Sequence, residues 1–138
     1  MKDRWWAAGA AFAALLVGAS YAYLMLVGLA TGEQTDDPTQ ADQGFWFEFW
    51  ISVVTILLAV LIVALFRLPA ARAGAGAAGA LTAAVNCVFI VAGGMPSWDA
   101  DAIALPPAVV GLLFAETARR AWYERSSKAH PASSPRRA

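Results

Sequence analysis

The chain has 138 residues, of which 59% are hydrophobic and 14% charged, with a mean hydropathy of +0.56 and a formal net charge of +0. That is too little polar surface to wrap a soluble core, so a membrane is its expected solvent. No basic footprint for nucleic acid is present, and the single Cys87 forbids an internal disulfide.

The first apolar run, residues 6–29, follows Lys2 and Arg4. Its charged start fits a signal peptide, and Ser20 to Ala22 loosely resembles a cleavage site, but the run exceeds the usual apolar core of about 7 to 15 residues. It is therefore read as an uncleaved transmembrane helix. Its Ala7, Ala11, Ala14 and Gly18 form a stripe of small residues at helical spacing.

The connection that follows carries Glu33, Asp36, Asp37 and Asp42. Its oxygen-rich composition could suit a hard cation, yet its spacing matches no calcium loop and reads as solvated. Residues 46–66 form the second run. They open on Phe45-Trp46-Phe47-Glu48-Phe49-Trp50, read as an interfacial aromatic belt, with an aromatic box around an organic cation as the rival. Glu48, Ser52, Thr55 and Ala59 share one face of this helix.

The third run, residues 73–92, is rich in Ala and Gly and reads as a helix shielded by its neighbours. Ala73, Gly76, Ala80, Ala83 and Cys87 give it a small-residue seam, and Ala75, Gly79, Thr82 and Asn86 share another face. The fourth span, residues 103–121, is the shortest. Ser97 or Asp101 can cap it, Pro106 and Pro107 fit its first turn better than its interior, and Ala104, Ala108, Gly111, Ala115 and Ala118 form its seam. Glu116 stands three and four residues before Arg119 and Arg120, the spacing of an intrahelical ion pair. Residues 126–138 are Ser, Pro and basic, and read as a disordered tail or one lying on anionic lipid.

All ten basic residues fall outside the uninterrupted apolar runs, the fourth of which ends at residue 118 before Arg119 and Arg120, and on one side of a single topology. The positive-inside rule then predicts an all-α, integral membrane four-helix bundle, residues 1–125, with both termini cytoplasmic. Eight Arg against two Lys, with abundant Ala and Gly, point to a bacterium with a GC-rich genome and hence to its inner (plasma) membrane.

Chemistry is scarce in this chain. No charged residue or histidine lies near the midplane, which disfavours proton relay and ion-coupled exchange. The lone His130 lies in the tail, so neither haem nor a zinc or copper site is expected, and no catalytic residue or cofactor is assigned. Cys87 reads as a packing residue.

One constellation remains. Tyr21, Ser52 and Asn86 fall at one depth, in the outer third of the bilayer, and with Thr55 they form an expected polar cluster beneath Glu48. Its two readings are hydrogen-bonded helix bridging and a ligand or permeation site.

The chain is similar to small multidrug transporters only in size, since their first helix carries an embedded glutamate and this one has none. It holds neither the arginine and asparagine pattern of the small fluoride channels nor the cysteine pair of the vitamin K reductases. Two functional classes are expected. The first is a non-catalytic structural or accessory subunit of a larger membrane complex, or a homo-oligomer, with membrane lipid and other membrane subunits as partners. The second is a small-molecule or lipid transporter or channel built on the polar cluster.

Overall fold

A computed structural model describes residues 2–31, 38–92 and 97–130, and of residues 24–25, 28–31, 38–45 and 97–102 the backbone alone. Four helices make up the fold: α1 Lys2–Thr31, α2 Pro38–Ala64, α3 Pro69–Ala92 and α4 Ser97–Ala129. Stretches of α1, α2 and α3 are long and apolar enough to cross a membrane: Lys2–Tyr23, Trp46–Ala64 and Pro69–Ala92. α4 is the longest at 33 residues, about 50 Å at about 1.5 Å per residue. Its apolar stretch is short, because Glu116, Arg119 and Arg120 interrupt it.

Contacts run in a ring, α1 to α2, α2 to α3, α3 to α4 and α4 back to α1, with α3 and α4 the most extensively packed pair. Neighbours are antiparallel. Asp3 reaches Arg120 while Tyr21 reaches Ile103, and Arg72 reaches Glu124 while Cys87 reaches Ala104. A four-residue connection, 65–68, turns α2 into α3, and Pro69 opens α3 where its missing N–H costs nothing. The described basic residues therefore gather at one end of the ring.

Small side chains make up much of the interior, around the larger Ile62, Val110 and Phe114. Ala7, Ala11, Ala14 and Ala59 are almost fully buried, whereas Leu57, Leu81, Val88, Leu105 and Leu112 point outward. The expected α1 stripe is the one that packs: a Cβ on Gly18 would stand 2.9 Å from Ile56. Along α3 the buried positions are Arg72, Ala75, Gly76, Gly79, Ala83, Asn86 and Ile90, a three-and-four spacing that defines one inner face. Of the three membrane-length stretches, α3 has the largest buried share, in keeping with a shielded helix.

Three boundaries differ from the sequence reading. The α4 backbone is helical from Ser97, so Pro106 and Pro107 lie inside it and not in its first turn. It continues to Ala129, so residues 126–129 of the expected tail are helical, the ion pairs of Glu124 with Lys128 and Arg72 fixing its last turns. Residues 131–138 lie outside the described residues. α2 begins at Pro38, which makes helix of part of the expected acidic connection, while Glu33, Asp36 and Asp37 also lie outside. The α4 seam packs on α3 where Gly111 closes on Ala83 and Ala118 on Gly76, but Ala115 departs from it. Ala115 is exposed and Phe114 is buried, its ring filling the space where Gly79 lacks a side chain; a Cβ there would stand 2.6 Å from Phe114 Cγ.

Candidate functional site

The expected polar residues converge. Tyr21 from α1, Ser52 and Thr55 from α2 and Asn86 from α3 line one small cavity, closed on the α4 side by Pro107 and Val110. Its volume is about 20 Å³, room for a single water molecule. Ser52 and Asn86 are 3% and 4% exposed, so their polar atoms work in a low-dielectric setting where hydrogen bonds are strong and orphaned groups costly.

Four of the five expected residues, Tyr21, Glu48, Thr55 and Asn86, have a structural employment that follows from local chemistry. Glu48 offers Asn86 only acceptors, so the Asn86 carboxamide turns its NH2 toward the carboxylate. It then donates to Glu48 Oε1 at 2.7 Å and Oε2 at 3.3 Å, tying α3 to α2. The Tyr21 hydroxyl donates to the Ile103 carbonyl and ties α1 to α4. That carbonyl is free because its helical partner four residues on is Pro107, which has no N–H. Cys87 Sγ reaches the Ala104 carbonyl at 3.6 Å, joining α3 to α4. Thr55 Oγ1 donates to the Ile51 carbonyl of its own helix at 2.8 Å and so bridges nothing.

All five expected residues thus stand at or beside the cavity. Thr82, expected on the Asn86 face, instead bonds to the Ala78 carbonyl and edges an outer groove with Trp46, Phe47 and Trp50. Phe47 stacks on Phe89 at 4.0 Å between ring centroids, and Phe49 meets Trp46 and Trp50 edge-on. These rings pack on one another along the helices. Among the described residues, no three His, Cys, Asp or Glu side chains come together.

A second polar centre, at the opposite end, is not visible in the sequence. Arg72 is 1% exposed, and its Nη2 donates to Glu124 Oε2 at 2.6 Å while its guanidinium lies 5.9 Å from the Phe66 ring centre. Its Nε is buried with no partner among the described residues. Glu124 also takes Lys128 at 2.9 Å, and these two cations, Lys128 first, hold its carboxyl below the usual range. Beside it, Glu116 accepts from Arg119 and Arg120, the expected intrahelical pairs, and Arg120 reaches across to Asp3 at 3.0 Å.

One signal in the sequence could have found this centre. Among the described residues, the acids at the basic end are Asp3, Glu116 and Glu124, and each is in an ion pair with arginine. Acids placed against a charge pattern have a reason to be there.

No protein-family model matches the chain, and no curated protein or solved structure is significantly similar to it.

Proposed function

We propose that the chain is a four-span protein of a bacterial inner (plasma) membrane, with both termini cytoplasmic, that acts without catalysis as an accessory or structural subunit of a larger membrane complex or of a homo-oligomer. What supports the membrane reading is the outward face: leucine, valine and aromatic rings cover it, while much of the interior is alanine, glycine and polar groups around Ile62, Val110 and Phe114. In water such a surface would be one continuous adhesive patch. α4 serves as the fourth span, its arginines snorkelling at the basic end.

The size of the cavity favours an accessory role over transport. Binding sites for organic ligands run to about 300 Å³ or more, and the polar cluster surrounds about 20 Å³. Its Tyr21 and Asn86 donors are engaged in crossing from helix to helix, which is the use membrane helices make of such groups.

Purification in mild detergent, followed by identification of what accompanies the protein, tests this reading. Stoichiometric protein partners or self-assembly support it. A co-purified small molecule that is lost in Asn86→Val, with the variant's melting temperature unchanged, overturns it in favour of a transporter or channel.

A further inference from the structure

At the basic end, α1 and α4 leave an open groove of about 410 Å³, whose walls include Trp5, Trp6, Ala10 and Leu113. Gly9 forms part of the wall, and a Cβ placed on it would meet nothing within 4 Å, so the groove owes its depth to that missing side chain. Lys2 is the charged residue of the lining. Among the described residues it has no ion pair, whereas the adjacent Asp3 is neutralised by Arg120. Arg120 also lies 4.8 Å over the Trp6 ring and fixes that wall.

An apolar trough with a lone ammonium matches an amphiphile that has an apolar tail and an anionic head. A second copy of this chain would bring an identical cation to the same place. We propose that the groove binds one anionic phospholipid, an acyl chain against Gly9 and Leu113 and the phosphate on Lys2. The inference rests on the membrane reading above.

Dioleoyl phosphatidylglycerol and dioleoyl phosphatidylcholine differ only in the headgroup, so titrating each into the detergent-purified full chain, read by native mass spectrometry, isolates the charge. The wild type is expected to bind one phosphatidylglycerol about fivefold tighter than phosphatidylcholine, the worth of one lysine near a lipid phosphate. Lys2→Gln is expected to abolish that preference, and Gly9→Leu, whose Cβ meets nothing within 4 Å and whose branch extends into the groove, to weaken both lipids.

Equal binding of the two lipids by the wild type overturns the proposal, as does a Lys2→Gln variant that keeps the preference. Gly9→Leu binding both lipids as tightly as the wild type, with unchanged helicity and melting temperature, also overturns it. If Gly9→Leu fails to fold, the exposed Lys2→Gln decides. A chain that stays in solution without detergent defeats the membrane reading itself, which is a distinct outcome.

Discussion

The two ends of the helical ring are held by opposite kinds of chemistry. At the basic end the ties are guanidinium to carboxylate, Arg72 to Glu124 and Arg120 to Asp3, and both arginines also lie against aromatic rings. At the Glu48 end they are single hydrogen bonds from uncharged donors, Tyr21 to Ile103, Asn86 to Glu48 and Cys87 to Ala104. The difference teaches where each chemistry is tolerable. A buried guanidinium needs a carboxylate against it, as Arg72 has in Glu124, whereas uncharged donors bridge helices through one acceptor group each.

The sharpest way to break this contrast is Glu124→Ala. It leaves Arg72 buried with no counter-charge, and a loss of about 3 kcal/mol in unfolding free energy in detergent is expected. A loss below about 1 kcal/mol would show that water reaches Arg72 and that the basic end is held much as the other is.

Acid tests the same pair. A carboxyl held below its usual range contributes stability above its unfolded pKa of about 4.3, and that contribution is lost as pH falls through the lower, folded value. The wild type should therefore lose melting temperature below about pH 4. Glu124→Gln, neutral throughout, should show a flatter acid limb, and identical profiles would exclude Glu124 as its cause.

Asn86→Val at the other end should cost about 1 kcal/mol, the scale of one interhelical hydrogen bond in a membrane, read in the same unfolding assay. A cost as large as that of Glu124→Ala would erase the distinction between the ends. Smallest of all should be Thr55→Val. Its hydroxyl bonds only within α2, so a change within about 0.5 kcal/mol is expected, and a larger one would show that it also bridges helices.

Much of the Glu48 end was legible because depth and helical face are both periodic quantities. Counting residues inward from the ends placed Tyr21, Ser52 and Asn86 level, and the 3.6-residue repeat turned Glu48, Ser52, Thr55 and Ala59 to one side. Partners were not legible. Arg72 and Glu124 are 52 positions apart, and a charge count records which side each is on but not that they meet. The Tyr21 bond was half visible, since a proline at 107 announces a free carbonyl at 103 once the helix is known to start well before it. Reading that helix as beginning near residue 103 hid the clue. The departure of Ala115 from the α4 seam had a related cause: a row of small residues marks where helices come close, as Gly111 and Ala118 do, but only the facing Gly79 reveals that Phe114 is the residue that enters.

That aromatic ring has a mechanical consequence. Sliding α4 along α3 by one turn, about 5.4 Å, would press Phe114 against Ala75 or Ala83, each with a methyl group where Gly79 has none. The pair therefore has a single axial setting, like a key cut for one notch. A one-turn slide of α4 past α3 is opposed by this ring, whereas a joint tilt of the two helices leaves the contact intact.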